Sequence, residues 1–462
     1  MEMNYSEARE YLKNVNKLGS ILGLNTIKEL LKRLGNPQNE LKVVHIAGTN
    51  GKGSIMTFVQ NILMESGYKV GRYCSPAVFN EREIIRINDE YISEEQSADL
   101  LTRIKEKCDS MHSEGLPHPT SFEIETAEAL MFFKEQNCDI ALIECGMGGE
   151  TDATNVFEKV LCSVIATISL DHTQFLGSTI EEITKVKSGI IKENCPVVMS
   201  KQTGEAESVI KKVCKQNNSK LIIPTEQDFE NVEIDGLTTK VTYKASNNKE
   251  YILNLQTLGT YQIKNAKTAV EVALVLDKAL TEKINICDES DKNNGTGMKN
   301  NINNSGNAIE KNIKKGIEKT VWPGRMEVIS KEPLIIIDGA HNPGAVLELR
   351  KTLDLYFTNK RITFIMGVLS DKDFSKEAEI IADRAERIIT ITPNNSRGLD
   401  GHKLAETLVK YNHNVQVADS LKQAAEESID TIKENRADMI LAFGSLSYLG
   451  ELKQVVRLIC NH

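Results

Sequence analysis

The stretch Val43-Val44-His45-Ile46-Ala47-Gly48-Thr49-Asn50-Gly51-Lys52-Gly53-Ser54 constrains this chain more than any other. A run that reads as a buried strand enters a glycine-rich turn, and the turn opens a helical pattern from Ser54 to Ser66. Such a turn aims backbone N–H groups at phosphate oxygens, the helix dipole favours the anion, and Lys52 can reach β- and γ-phosphates. Gly53 stands where a general phosphate loop carries the Ser or Thr hydroxyl that holds magnesium. Ser54 comes one residue late, so a metal here takes its oxygens from elsewhere.

The rest of the chain repeats the strand-then-helix theme. Short β-branched runs at Leu41 to Ala47, Lys69 to Tyr73, Asp139 to Ile143, Leu161 to Ile168, Pro196 to Met199 and Leu221 to Ile223 alternate with amphipathic stretches such as Ser93 to His112, Phe122 to Gln136 and Ile180 to Lys192. This is the βαβ signature of a mainly parallel sheet covered on both faces. Phe229 to Leu255 alternates differently, around an Asp235-Gly236 turn, and reads as a small hairpin element. A helix from Tyr261 to Leu280 follows, and Asn285 to Lys315, rich in Asn, Gly, Lys and Asp, reads as a mobile insertion. After Pro323-Gly324 the alternation restarts at Leu334 to Ile337, Arg361 to Met366, Arg387 to Ile391, Asn414 to Val417 and Met439 to Phe443. The expected fold is therefore α/β: an N-terminal phosphate-loop domain over residues 1–320 with its insertion at 285–315, a linker at 321–326, and a smaller Rossmann-like α/β domain over 327–462.

Charge and composition exclude several classes. With 56 basic against 65 acidic residues and a net charge of −9, the chain is not expected to bind a nucleic-acid backbone or an anionic membrane. No apolar run approaches the ~18 residues of a membrane span. Met1 to Asn16 lacks the basic, apolar, small-residue order of a signal peptide. Nine cysteines without a C-x-x-C pair read as reduced thiols in a cytoplasm.

Two strand ends add chemistry. Glu144 follows the strand Asp139 to Ile143 and His172 follows Leu161 to Ile168, so both belong at the carboxyl edge from which the phosphate loop emerges. Taken together with Ser75-Pro76, Glu144 to Gly149, Asp152 to Asn155, Leu170 to Thr173, Trp322 to Arg325 and Asp338 to Pro343, the phosphate loop Gly48 to Ser54 resembles the folylpolyglutamate synthase and dihydrofolate synthase family of the Mur ligase superfamily. The resemblance runs in order along nearly the whole chain. It implies an ADP-forming ligase that adds L-glutamate to the carboxylate of a reduced folate through an acyl phosphate, with action on dihydropteroate as the alternative. A peptidoglycan-type Mur ligase is disfavoured because the segment before the phosphate loop is short for a sugar-nucleotide domain. A phosphate-loop regulator without ligase activity is disfavoured by the retained Glu144, His172, Lys187 and Asp338.

The resemblance also implies roles. Gly48, Thr49, Asn50, Gly51, Lys52, Gly53, Ser54, Asn265, Arg325, Asp338 and His341 would bind ATP in the cleft between the two domains; Ser75, Glu144 and His172 would hold magnesium, with two ions in all; Lys187 would be carbamylated and catalytic alongside Lys52 and His172. Thr120, Ser121, Phe122, Glu123 and Arg82 would meet the folate. Read alone, Lys187 is a solvated helix charge, Thr120 to Glu123 a helix cap, Asn265 a helix start and Asp338 the cap of the helix at Pro343. Gly367 to Asp373 and Gly444-Ser445 are strand-end turns without an assigned role. The chain departs from the family at Glu150-Thr151, where an Arg-Leu pair is usual, at Ala77 in place of His, and at Ile84 in place of Arg; Arg82 and Arg86 remain to offset the lost charge. Small-molecule substrates, a monomeric chain and a cytoplasmic site complete the expectation.

Overall fold

The computed structural model describes residues 2–15, 23–225, 232–291 and 308–460. Its larger sheet contains β1 (Val43–Ala47), β2 (Val70–Tyr73), β3 (Ile85–Ile87), β4 (Glu90–Tyr91), β5 (Ile140–Glu144), β6 (Cys162–Ile165), β7 (Val197–Met199) and β8 (Leu221–Ile222), in the order β4-β3-β2-β5-β1-β6-β7-β8. Pairings from β2 through β8 are parallel, whereas β3 and β4 join antiparallel at one edge. Every residue of β1 and β5 is buried, because helices cover both faces of the parallel strands. Helices Lys52–Glu65 and Thr260–Asp291 share one apolar cluster, and helices Tyr5–Val15, Glu94–Ser113 and Ser121–Glu135 share the opposite one.

The insertion expected at 285–315 is in part a correction. Positions 292–307 lie outside the described residues, but Ala308–Glu318 is a folded helix that buries Ile309, Ile313 and Ile317 against helix Lys52–Glu65. Three isoleucines spaced four apart make one apolar stripe, which the surrounding Asn and Lys conceal in a reading by composition. The hairpin element is a three-stranded antiparallel sheet, β9 (Val232–Asp235), β10 (Thr238–Lys244) and β11 (Glu250–Leu255). Positions 229–231 of that expectation lie outside the described residues.

The smaller sheet is β12 (Glu327–Lys331), β13 (Leu334–Ile337), β14 (Ile362–Met366), β15 (Arg387–Thr390), β16 (Val415–Val417) and β17 (Met439–Phe443), ordered β12-β13-β17-β14-β15-β16. All its pairings are parallel except that of β12, an edge strand missed in the sequence because it lacks a sustained apolar run. A large, mainly parallel N-terminal domain and a smaller C-terminal α/β domain thus turn strand ends toward one another, the arrangement in which open α/β sheets bind ligands. Among the described residues, no helix is long and apolar enough to cross a membrane.

Candidate active site

The phosphate loop joins β1 to helix Lys52–Glu65. Gly48 sits at φ 148°, and a Cβ there would fall 2.6 Å from that of Ala166 on the extension of β6, so the close approach excludes any side chain. The N–H groups of Thr49 and Asn50 both donate to the Thr167 carbonyl, at 2.8 and 3.0 Å, and the Thr49 hydroxyl donates to the Ser169 carbonyl. These two residues therefore brace the turn. The helix begins behind Gly51, whose φ of 91° and missing side chain leave the first-turn N–H groups without a side-chain cap. Lys52 Nζ donates to the Thr49 carbonyl and lies 3.6 Å from Glu144 Oε1.

Glu144 is the last residue of β5 itself and is almost fully buried. Its other oxygen accepts from the Cys74 thiol at 2.7 Å, and burial raises that thiol's pKa well above its usual value. Ser75 follows at a half-buried cis Ser75-Pro76 bond. Among the described residues, no three His, Cys, Asp or Glu side chains converge into a metal-holding group. Magnesium suits such a place nevertheless, since it keeps water and phosphate oxygens and needs only one or two protein oxygens, and Glu144 supplies a buried carboxylate beside the phosphate loop.

Lys187 is not the solvated charge that its sequence setting suggests. It is 4% exposed on helix Ile180–Ser188, and its Nζ donates to the Gly48 carbonyl at 2.9 Å, while neighbouring Lys185 is exposed. Burial, with Lys52 nearby, lowers its pKa to about 8. His172 adopts φ 50° at the start of the short helix Thr173–Leu176. Burial lowers its pKa too, with Asp171 opposing and Lys372, Lys187 and Lys52 adding to the fall. Its partner is Asp171, whose burial would raise the carboxyl but whose pair with Lys372 more than offsets this. That pair, 2.7 Å long with both side chains under a tenth exposed, crosses between the domains.

The C-terminal domain offers a second strand-to-helix turn, Asp338 to Pro343. Asn342, not Asp338, caps helix Pro343–Tyr356 by accepting from the Ala345 N–H at 2.9 Å. Its amide also pairs reciprocally with that of Asn50, both bonds 3.1 Å, and donates to Asp171. Asp338 is buried and accepts from Tyr261 Oη, Met326 N and Ala340 N; burial raises its pKa against those donors and Arg325. The Arg325 guanidinium lies across Gly339, where a Cβ would stand 1.5 Å from Nη1. Beside it His341 Nδ1 bonds to the Gly339 carbonyl at 2.6 Å, and burial lowers its pKa to about 4. Asn265 is well inside helix Thr260–Asp291 rather than at its start, with its Oδ1 against Gly51 and its amide donating to Gln262.

Comparison with known proteins follows the same path through the chain. Residues 46–273 match the Mur ligase middle domain and residues 324–446 the Mur ligase glutamate ligase domain. A dihydrofolate synthase/folylpolyglutamate synthase of Bacillus subtilis is 30% identical over 97% of this chain and 98% of its own. This chain belongs to the folylpolyglutamate synthase and dihydrofolate synthase family. Among solved structures, the folylpolyglutamate synthase of Thermotoga maritima is 32% identical with a TM-score of 0.76, covering 98% of this chain and 96% of that one. An FPGS–AMPPCP–folate complex is 28% identical with a TM-score of 0.81, covering 98% of this chain and all of that one.

As a member of the folylpolyglutamate synthase and dihydrofolate synthase family, the chain is a ligase, and the substrate-side residues can be read against that. Thr120 and Glu123 form a full capping box on helix Ser121–Glu135, which engages Glu123 Oε2 and leaves its Oε1 buried without a hydrogen-bond partner. Phe122 lies against Gly146 at the end of β5 and stacks on Tyr73 at 6.0 Å, close to the strand-end chemistry. Arg82 is tied to the Ile92 carbonyl and to Glu94, 3.8 Å away, and Arg86 to Glu83 and the Tyr91 ring. Glu150 is exposed, its N–H donating to the Val186 carbonyl one residue from Lys187. The sequence missed Cys74, Asp171, Asn342 and Lys372. Three of them sit inside quoted motifs or turns, but the partners that give them meaning are distant in sequence.

Proposed function

We propose that this chain is an ATP-dependent, ADP-forming ligase that joins L-glutamate to the carboxylate of a reduced folate. Dihydropteroate is the alternative acceptor, as the bifunctional name of the Bacillus subtilis relative suggests. The observation that carries the reading is the uncapped helix behind Gly51, with Lys52, Lys187 and Glu144 gathered around it, in a chain similar from end to end to folylpolyglutamate synthases.

The reaction needs positioning and charge neutralisation rather than a protein nucleophile. The folate carboxylate oxygen bonds to the γ-phosphorus, ADP leaves, and the acyl phosphate is captured by the glutamate amine, which loses a proton as phosphate departs. Lys52 and the first-turn N–H groups from Gly51 to Ser54 bind the phosphates, Thr49 and Asn50 hold the loop in shape, and Gly48 lets it pass Ala166. Asn265 fixes Gly51 from behind. Glu144, with Ser75 and His172, would hold magnesium, which when bound neutralises charge on the nucleotide phosphates. Lys187, buried and with a lowered pKa, suits carbamylation, because the neutral amine is the form that adds carbon dioxide. Arg325, Asp338 and His341 bring the C-terminal domain onto the nucleotide, and Phe122 with Ser121 and Arg82 faces the folate. The ligand-binding units meet at 321–326, between residues 1–320 and 327–462, and the chain works as a cytoplasmic monomer on small molecules.

The test is ADP release by the purified chain with Mg-ATP and L-glutamate, offering dihydropteroate, tetrahydrofolate or a uridine-diphosphate-linked muramoyl acid, with mass spectrometry of the products. Glutamylated tetrahydrofolate is expected. Gain of glutamate by both pterins makes the enzyme bifunctional, and gain by neither, with ATP still bound, defeats the reading at the substrate and directs attention to Glu150-Thr151.

A further inference from the structure

A buried cation of the N-terminal domain has no counter-charge in contact among the described residues. Arg72, on β2, is 2% exposed. Among the described residues, its hydrogen bonding is limited to a 3.5 Å contact from Nη1 to the Thr57 hydroxyl, and its Nε has no partner. Glu83 and Glu144 act on it only at longer range, and burial depresses its pKa. A buried guanidinium held so loosely is costly, and its retention asks for an anion or a function.

Its two contacts lead to the same residue. The guanidinium carbon lies 5.1 Å from the centre of the Trp322 ring, within cation–π reach. Trp322 in turn presses on the phosphate loop, where a Cβ on Gly53 would fall 2.9 Å from its Cζ2. Thr57, which accepts from Arg72, donates its own hydroxyl proton to the Gly53 carbonyl at 2.8 Å. The indole from the interdomain segment and the hydroxyl from the helix thus grip Gly53, with Arg72 behind both. This also gives a physical reason for glycine at 53, because the space of a side chain is occupied by the indole.

We infer that Arg72 is a positioning residue for the phosphate loop: it clamps Trp322 and Thr57 onto Gly53, and the polyphosphate of the bound nucleotide is the anion that balances its charge. The inference rests on the reading of Gly48 to Ser54 as the ATP site. Through Trp322 it also ties occupancy of that site to the segment joining the two domains.

The chain has a single tryptophan, so its fluorescence reports on this contact alone. The full-length protein would be titrated with Mg-ADP by tryptophan emission and by calorimetry, and KM for ATP and kcat measured, for wild type, Arg72→Met, Arg72→Lys, Trp322→Phe and the Arg72→Met/Trp322→Phe pair. Wild-type emission should change saturably with ADP. Arg72→Met should weaken ADP binding about tenfold and raise KM in step, with kcat within about threefold, and lose most of the emission response. Arg72→Lys should keep ADP affinity within about threefold while its unliganded emission differs from wild type, since the charge stays and the planar stack goes. The double variant should be little worse than the weaker-binding single one, as expected for residues acting in one chain of contacts. A folded Arg72→Met with wild-type affinity, a loss confined to kcat, or multiplying losses in the pair would overturn the inference. If Arg72→Met does not fold, Arg72→Lys decides: unchanged affinity together with unchanged emission overturns it as well. Failure of the wild type to bind ADP would instead defeat the ATP-site reading, and this inference with it.

Discussion

The chain contains two strand-to-helix turns that face each other, and they are finished in opposite ways. After β1, helix Lys52–Glu65 begins behind a glycine with no side-chain cap, and cations gather around it. After β13, helix Pro343–Tyr356 begins behind Asn342, which satisfies its first turn, while the carboxylate of Asp338 is taken by Tyr261, Met326 and Ala340. The same local unit is left without a side-chain cap at the proposed phosphate site and is capped where it holds a neighbour. The closed turn grips the open one through the paired amides of Asn342 and Asn50.

Blocking the open turn should have the largest effect. Gly48→Ala places a methyl 2.6 Å from Ala166 Cβ, and kcat/KM for ATP should fall about a thousandfold, ~4 kcal/mol, by steady-state ADP release. A fall below tenfold would mean that the loop has room to adjust. Next comes the contact between the domains: Lys372→Met leaves Asp171 buried without its cation and should cost about 3 kcal/mol or more in urea unfolding, most of it recovered by adding Asp171→Asn. If the single variant unfolds like wild type, the pair is not holding the domains.

The pH dependence of stability tests the cation behind the open turn. Lys187 has its pKa lowered from 10.5 to about 8 by burial. Between those values the unfolded chain binds a proton that the folded chain lacks, so this residue makes stability rise with pH across the window, by up to about 3 kcal/mol at ~1.4 kcal/mol per unit. In buffer freed of carbon dioxide, so that the amine is unmodified, urea midpoints from pH 8 to 10 should climb in wild type relative to Lys187→Met; parallel profiles would place the lysine in water. Smallest is the cap of the closed turn. Asn342→Ala should lose about 1 kcal/mol of stability and raise KM for ATP, whereas Asn342→Ser keeps a cap oxygen without setting a carboxylate against Asp171 and should affect KM alone. Equal stability losses in the two would show that the amide bridge, not the cap, supports the helix.

Sequence reasoning reached the open turn far better than the closed one. Gly48, Gly51, Lys52 and Glu144 are legible because strand, turn and helix are contiguous and their chemistry follows from local geometry. Lys187 looks like a surface charge because nothing near it in sequence reveals that the Gly48 carbonyl, 139 positions away, lies above its amine. Asn342 reaches Asn50 across 292 positions and Lys372 reaches Asp171 across 201, so neither role has a local signature. Asn265 and Asp338 were drawn into capping roles by proximity to a helix pattern, whereas one lies inside its helix and the other yields the cap to Asn342. The parallel strands were found by their continuous apolar runs. The edge strands β3, β4 and β12, half-exposed and short, gave no such run, and the Ala308–Glu318 helix was hidden by its polar company.

The Asp171–Lys372 pair has a practical consequence. With both side chains under a tenth exposed, dissolved ions hardly reach it, whereas phosphate at an open helix end is attracted through water and is screened. Raising ionic strength should therefore loosen the nucleotide while leaving the two domains joined. A salt titration of ADP affinity, run beside small-angle scattering of the unliganded chain, would separate attraction for the ligand from attraction between the domains without altering a single residue.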